Sequence, residues 1–264
     1  MALANRLVDI NLLYSVAGVL VGLIVGLTGV GGGSLMTPLL VLAFGFHPAT
    51  AVGTDLLYAS MTKAVGTAVH GAGGTVDWRI VRRLAAGSVP AAVLTLAWLR
   101  YLGSQGGTTD WLTPLLGVAL LATAVAMVFR HRIVGRYAAQ FAEIAPQRIG
   151  WLTTALGVML GIMVSLTSVG AGALGMTALL LLYPTQPASR LVGSDIAHAV
   201  PLTLIAGIGH WALDSVDVSL LLSLLAGSIP GIVIGSLASR RLSDRALTPL
   251  LAVTLALVGI KLVL

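Results

Sequence analysis

Charged side chains are scarce in this sequence. Asp, Glu, Lys and Arg together make up 9% of its 264 residues, whereas 57% are hydrophobic. A typical soluble domain has about 25% charged residues, and long stretches of this chain have no polar face to present to water. The composition excludes an ordinary soluble protein and predicts an integral membrane protein.

Cysteine is absent altogether, which excludes disulfide bonds, iron–sulfur clusters and thiolate metal sites. The metal-binding spacing His-Glu-x-x-His is missing too, and so is a recognisable Ser, His and Asp arrangement of an intramembrane protease. We therefore expect neither a cofactor nor a metal, and we do not expect an enzyme. The net charge of +6 does not indicate a nucleic-acid partner, because the arginines lie between apolar runs, where membrane topology places them.

Hydrophobic residues form ten runs along the chain. The runs cover roughly residues 11–28, 35–46, 50–70, 79–101, 111–129, 150–166, 173–183, 188–211, 218–238 and 246–264. A membrane-spanning helix takes about 20 residues, so the second and seventh runs are too short to span alone. Each is either a short tilted span or one arm of a re-entrant hairpin. The runs predict an all-helical, polytopic membrane protein.

The two halves of the chain are internal repeats. Residues 52–55 (Val-Gly-Thr-Asp) match residues 192–195 (Val-Gly-Ser-Asp), and residues 87–90 (Gly-Ser-Val-Pro) match residues 227–230 (Gly-Ser-Ile-Pro). Because each half holds an odd number of runs, the second half is predicted to be inverted relative to the first. The chain divides into a first transmembrane repeat at 1–129, a polar connector at 130–149 and a second transmembrane repeat at 150–264.

Lysine and arginine predict the orientation in the membrane. If every run ends on the side opposite to its start, the side away from the connector receives Arg6, Arg100 and Lys261. The connector's side collects Arg79, Arg82, Arg83, Arg130, Arg132, Arg136, Arg148, Arg190, Arg240, Arg241 and Arg245. This split predicts a cytoplasmic connector and external chain termini.

A stretch of small residues interrupts the apolar pattern once in each repeat, at residues 26–38 and at the matched residues 165–177. Each glycine is about 1 kcal/mol worse than alanine inside a helix, so both stretches predict broken helices. A helix that begins inside the membrane exposes N–H groups and about half a positive charge, and two such ends would cradle an anion. A hinge or a close helix-packing contact is the alternative. The predicted anion contacts are Thr28, Gly29, Val30, Gly31, Gly32, Gly33 and Ser34, and Thr167, Ser168, Val169, Gly170, Ala171 and Gly172.

Lys63 lies deep in the third run and is one of two lysines in the chain. A cation buried in a membrane helix is costly and indicates a functional role. Lys63 either attracts the anion or forms a structural ion pair with Asp55. Asp55 lies two helical turns away, so the ion pair would also need a contact from another helix. We add Lys63, Thr54 and Ser194 to the predicted anion contacts.

Asp55 and Asp195 occupy matched positions and are expected in the first turns of their helices, where the positive helix end favours them. Proton carriage is the alternative, with His198 as a partner on the same helical face as Asp195. His198 is otherwise a hydrogen-bonded packing residue. His70 and His210 lie at the ends of runs, and we expect them at the membrane interface.

Four segments of the chain resemble those of a known family. They are residues 26–33 (Gly-Leu-Thr-Gly-Val-Gly-Gly-Gly) followed by Pro38, residues 51–54 (Ala-Val-Gly-Thr), residues 192–201 (Val-Gly-Ser-Asp-Ile-Ala-His-Ala-Val-Pro) and residues 227–231 (Gly-Ser-Ile-Pro-Gly). The chain resembles the sulfite exporter TauE/SafE family, also called TSUP permeases. That family is implicated in moving sulfite, thiosulfate, sulfonates and related anions across the bacterial cytoplasmic membrane.

The resemblance implies a secondary transporter that exports a small sulfur-containing oxyanion or organosulfonate such as sulfite. Its partners would be the small anionic substrate, the lipid bilayer and H+ as a candidate coupling ion. Rocking of one half against the other would alternate access to the anion. An anion channel stays open as the alternative function, and the sequence does not indicate an oligomeric state. The second stretch departs from the glycine-rich pattern at Ser168, Ala171 and Ala173, so the two stretches need not contribute equally.

Overall fold

Ten helices make up the part of the chain that the computed structural model describes, which is residues 11–28, 33–72, 74, 76–104, 111–170, 172–238 and 244–263. In chain order they are α1 Leu12–Thr28, α2 Gly33–Leu42, α3 Pro48–Ala72, α4 Trp78–Ser104, α5 Leu112–Ala142, α6 Pro146–Thr167, α7 Ala173–Leu182, α8 Ala188–Trp211, α9 Val218–Ala238 and α10 Asp244–Val263. Each helix coincides with one of the ten apolar runs. The all-helical, polytopic class is therefore confirmed.

The helices differ in whether they are long enough to span a membrane. Within the described ranges, four are long and apolar enough to span by length and composition, at Trp78–Gly103, Thr113–Ala142, Pro146–Thr167 and Ala188–Trp211. α2 and α7 have ten residues each, which corresponds to about 15 Å of helix. Both short runs are thus short helices, and each begins inside one of the small-residue stretches.

The connector at 130–149 is mostly helical. α5 continues through Arg130, Arg132 and Arg136 as far as Ala142, and Pro146 begins α6. Alanine and arginine are good helix formers, and a proline is well suited to the first position of a helix. The end of the apolar run therefore does not end the helix. The division of the chain into two inverted repeats stays a prediction.

Helices of one half pack closely on helices of the other half. α1 lies against α9, and α4 lies against α6. A Cβ added at Gly22 of α1 would lie 2.6 Å from the carbonyl oxygen of Ser228, and a Cβ added at Gly161 of α6 would lie 2.5 Å from that of Ser88. Glycines of this kind let two backbones approach closely. Gly22 matches Gly161 and Ser228 matches Ser88 in sequence, so the same contact of a glycine with a serine carbonyl occurs between α1 and α9 and between α6 and α4.

Replacing Gly227 of α9 by Ala should destabilise the protein by about 1–3 kcal/mol. A Cβ at Gly227 would lie 1.8 Å from the carbonyl oxygen of Ser15 in α1, and a backbone atom cannot move aside as a side chain can. Thermal unfolding in detergent measures the effect. Gly135→Ala in α5 is the matched control, because a Cβ there meets nothing within 4 Å. Equal unfolding temperatures for the two variants would contradict the packing argument.

α3 and α8 pack against each other and carry most of the buried charged side chains. Asp55 and Lys63 of α3 are buried, and so are Asp195 and His198 of α8. Buried ionisable groups in membrane helices mark functional positions. The α3–α8 pair therefore indicates where the functional site lies.

Candidate functional site

The break between α6 and α7 is enclosed by protein. Ser168 adopts the left-handed conformation (φ 57°, ψ 0°), and its N–H donates to the carbonyl oxygen of Val164 at 2.8 Å. Gly170 and Gly172 follow at φ 120° and 127°, values that favour glycine. Val169 is 0% exposed and Ser168 is 3% exposed. In a membrane, irregular backbone is tolerated where protein covers it in this way.

α7 begins at this break without a side-chain cap. Its N-cap residue is Gly172. Thr167 holds the turn before it, since its hydroxyl donates to the carbonyl oxygen of Met163 at 2.7 Å and accepts from the N–H of Val169 at 3.2 Å. The predicted break is confirmed here. The anion contacts predicted at Thr167, Ser168 and Val169 stay a prediction.

The first small-residue stretch also separates two helices, because α1 ends at Thr28 and α2 begins at Gly33. The predicted contacts that lie outside the described residues are Gly29, Val30, Gly31, Gly32 and Ala171. The side-chain surroundings of Thr28, Gly33 and Ser34 lie outside them as well.

Asp55 connects α3 to both small-residue stretches. Its carboxylate is fully buried and accepts a hydrogen bond from the hydroxyl of Thr37 in α2. Ser168 of the α6–α7 break lies near the same carboxylate. Neither Asp55 Oδ1 nor Ser168 Oγ has a partner with hydrogen-bond geometry among the described residues. The buried Ser168 hydroxyl and Asp55 carboxylate thus lie together beside the break.

Asp195 faces the start of α7. It is 4% exposed, and a Cβ added at Gly175 would lie 2.7 Å from its Oδ1. Asp55 and Asp195 are each the eighth residue of their helix, which begins at Pro48 or at Ala188. The effect of a helix end falls off within the first turn, so the expected position in the first turn is wrong. Their burial beside the breaks keeps proton carriage as the alternative.

Lys63 lies between the two aspartates. It is 5% exposed, and its charge interacts with both Asp55 and Asp195. The other helix that an ion pair would require is therefore α8. Because its charge acts on both carboxylates, Lys63 lies where it can neutralise either a carboxylate or an anion.

His198 of α8 is buried against α4. It is fully buried, and its Nε2 lies 2.8 Å from the hydroxyl oxygen of Ser88 in α4. Its Nδ1 has no hydrogen-bond partner in the part of the chain that the structure describes. These contacts include no direct hydrogen bond to Asp195 and fit the packing alternative. Proton coupling through His198 and Asp195 stays a prediction.

Thr54 and Ser194 hold loops of the opposite half. The hydroxyl of Thr54 accepts from the N–H of Asp217 at 3.1 Å, and that of Ser194 accepts from the N–H of Asp77 at 2.8 Å. Ser194 also donates to the carbonyl oxygen of Arg190 at 2.7 Å. These contacts position the α3–α4 and α8–α9 loops. A direct contact of either hydroxyl with an anion stays a prediction.

His210 of α8 contacts the end of α6, next to the break. The sequence did not indicate this contact. It is 3% exposed, and its Nε2 lies 2.8 Å from the carbonyl oxygen of Ser165 in the last turn of α6. The last carbonyls of a helix lack partners within that helix, so His210 supplies one. The expected contact of His210 with water is wrong, because its imidazole is buried against the last turn of α6. The side chain of His70 lies outside the described residues.

Replacing His210 by Ala should lower the free energy of unfolding by about 1–3 kcal/mol, because it leaves the buried carbonyl of Ser165 unpaired. Thermal unfolding in detergent measures this. His210→Gln retains a side-chain donor and should recover part of the loss. Full stability of the Ala variant would show that water or another group replaces the imidazole.

These features define a multi-pass membrane protein with a buried helix break beside charged side chains, an arrangement typical of membrane transporters. Comparison with known proteins agrees with this class. The profile of the Sulfite exporter TauE/SafE family matches residues 14–262, and the chain belongs to that family.

The relatives that the chain matches are named as transporters. The probable membrane transporter protein YjnA of Bacillus subtilis is 39% identical over 248 residues, covering 93% of this chain and 97% of the relative. A probable membrane transporter protein of Xylella fastidiosa strain 9a5c is 29% identical over 231 residues, covering 86% and 84% of the two chains. No solved structure matches the chain. The protein is thus a membrane transporter of the TauE/SafE type.

Proposed function

We propose that the protein is a secondary transporter that exports a small sulfur-containing oxyanion or organosulfonate, such as sulfite, across the bacterial cytoplasmic membrane. The name of the family, Sulfite exporter TauE/SafE, supports the substrate class. The observation that carries the proposal is the buried break between α6 and α7, with Lys63, Asp55 and Asp195 gathered beside it.

The anion would bind where α7 begins. The N-terminus of α7 carries the positive end of the helix dipole, and Gly170 and Gly172 allow close approach of a ligand to the backbone. The hydroxyl of Ser168 is a buried donor that lies in the break, near the Asp55 carboxylate. Lys63 supplies a positive charge that would attract the anion. The stretch between α1 and α2 would contribute the second side of the site.

Asp55 and Asp195 place two carboxyl groups beside the proposed anion site. An anion that enters beside two ionised carboxylates is repelled by both. We therefore propose that at least one of these aspartates holds a proton while the anion is bound. Proton binding and anion binding at this site would then be coupled, and Asp55 joins Asp195 as a candidate proton carrier.

The membrane potential favours export. An internally negative potential drives an anion outward by about 2.3 kcal/mol per charge per 100 mV, so export does not require a coupled ion. Import would require coupling, for which Asp195 with His198, and Asp55, are the candidates. Rocking of the two halves would alternate access to the site.

The proposed orientation places the 130–149 connector in the cytoplasm and both termini outside. Gly135 of α5 is exposed and contacts nothing at its Cβ position. Gly135→Cys in this cysteine-free protein should react with a membrane-impermeant maleimide from the cytoplasmic side. Reaction from the external side would contradict the orientation.

Reconstitution into liposomes tests the function. Uptake of sulfite, thiosulfate, sulfate, sulfoacetate and taurine is measured with and without the same anion inside. A carrier gives saturable uptake that internal anion accelerates. Flux without saturation or exchange, together with single-channel currents, would support the anion channel instead. No uptake of any of these anions would reject the proposed substrate class.

A further inference from the structure

The two aspartates of the candidate site occupy matched positions, but their surroundings differ. Thr37 of α2 and Thr177 of α7 are matched as well, since each is the fifth residue of its helix. The hydroxyl of Thr37 donates to the carboxylate of Asp55. The hydroxyl of Thr177 instead donates to the carbonyl oxygen of Ala173 in its own helix, at 2.8 Å. One threonine therefore binds an aspartate, and its match binds backbone.

A second hydroxyl lies near Asp55, and the matched position in the other stretch has none. Ser168 of the α6–α7 break lies beside the Asp55 carboxylate. The residue at its matched position in the first stretch is Gly29, and a glycine has no side chain that could donate a hydrogen bond. The hydroxyls of both Thr37 and Ser168 are therefore placed at Asp55.

Asp195 lies against the backbone of α7. A Cβ added at Gly175, the third residue of that helix, would lie 2.7 Å from Oδ1 of Asp195. This oxygen has no hydrogen-bond partner within the described ranges, and the charge of Lys63 acts on the carboxylate. The first N–H groups of a helix lack partners within that helix. Asp195 thus lies at the end of α7 where the anion is proposed to bind.

The ionisable groups around the two aspartates do not account for this difference. Lys63 acts on both of them. Tyr58 lies three residues after Asp55, within reach of its charge, and His198 lies three residues after Asp195. The helices α2, α7 and α9 carry no ionisable side chain. Those of α4 and α6 lie within two turns of a helix end, and those of α5 lie in its last four turns.

A hydrogen bond donated to a carboxylate stabilises its ionised form, so a buried carboxyl group without such a donor is more easily protonated. We propose that the matched aspartates have different roles. Asp195 takes up and releases the proton, and Asp55 stays ionised as the fixed partner of Lys63. Thr37 is the positioning residue that produces the difference. This inference rests on the coupling of proton and anion binding proposed above.

Infrared spectroscopy tests this assignment, because a protonated carboxyl group has a C=O band that a carboxylate lacks. The purified protein is studied without any anion substrate in a maltoside detergent, which has no carbonyl group. Above about pH 6 exposed Asp and Glu side chains are ionised, so a band that titrates there reports a buried carboxyl group. The natural protein should show such a band for one group, and Asp195→Asn should lose it.

Thr37→Val should about double the intensity of this band, since Asp55 loses its donor and becomes protonated as well. Thr37→Ser retains the hydroxyl and should give the natural spectrum. Thr177→Val is the matched control, because it removes a hydroxyl that is bonded within its own helix. The control should leave the band unchanged.

Three results would overturn the inference. They are absence of the band from the natural protein, a full band in Asp195→Asn, and equal spectra for Thr37→Val and Thr177→Val. If Thr37→Val does not fold, the comparison of the natural protein with Asp195→Asn still decides which aspartate holds the proton.

Anion flux into liposomes separates this inference from the proposed function. The expected bands without flux of any of the tested anions would retain the roles of the two aspartates and reject the transport proposal. Flux that responds to a pH gradient, together with a full band in Asp195→Asn, would reject the division of roles alone.

Discussion

Replacing Lys63 by Met is expected to weaken anion affinity by about tenfold to a hundredfold. A hydrogen bond to a charged group contributes about 1.5–3 kcal/mol, and each 1.4 kcal/mol corresponds to about a factor of ten in affinity. Lys63 is buried and interacts with the charges of Asp55 and Asp195. Methionine has a similar length and no charge, so it removes the cation while filling most of the space. The concentration dependence of uptake into liposomes measures the effect.

Two further variants separate anion attraction from structural pairing at Lys63. Lys63→Arg retains the charge and should retain most of the affinity. Thr203 occupies the matched position in α8, and its hydroxyl donates to the carbonyl oxygen of Ala199 in the same helix. Thr203→Val should therefore leave affinity unchanged. Unaltered kinetics of a stable Lys63→Met protein would remove Lys63 from the anion site and leave it a structural ion pair.

Replacing Asp195 by Asn is expected to abolish the response of anion accumulation to a pH gradient. Asparagine has the same shape as aspartate but cannot take up a proton at this position. If one proton moves with each anion, a gradient of one pH unit changes the accumulation ratio by up to about tenfold, which corresponds to 1.36 kcal/mol. The variant should show no such change. Uptake into liposomes with and without an imposed pH gradient measures it.

Asp55→Asn is the matched variant in the other half, and comparison of the two shows which aspartate carries the proton. Asp214→Asn is the control, because Asp214 is exposed in the α8–α9 loop at φ 54°, a conformation that asparagine tolerates. The control should respond to the gradient as the natural protein does. A natural protein that transports anion without any response to the gradient would contradict coupling through either aspartate.

Much of the candidate site was predictable because it depends on local features. Apolar run lengths predicted α2 and α7 as short helices, and glycines predicted the interruption between α6 and α7. Lys63 was predictable as well, since a lysine inside an apolar run is conspicuous in any membrane protein. In each case the signal lies within one helix length of sequence.

Other features of the site depend on contacts between distant segments. The position of His210 at a run end suggested contact with water, but packing of other helices buries it against Ser165. Asp195 lies near Lys63 because α8 packs on α3. No spacing between residues in the sequence indicates that packing. The Ser88–His198 hydrogen bond likewise joins residues that lie far apart in the chain.

The sequence by itself determined the membrane class, the ten helices and the positions of the interruptions between them. These follow from hydrophobicity and from the cost of glycine in a helix, which act over a few turns. The tertiary structure alone decided which buried polar groups meet, because burial and hydrogen bonding depend on how helices from the two halves pack.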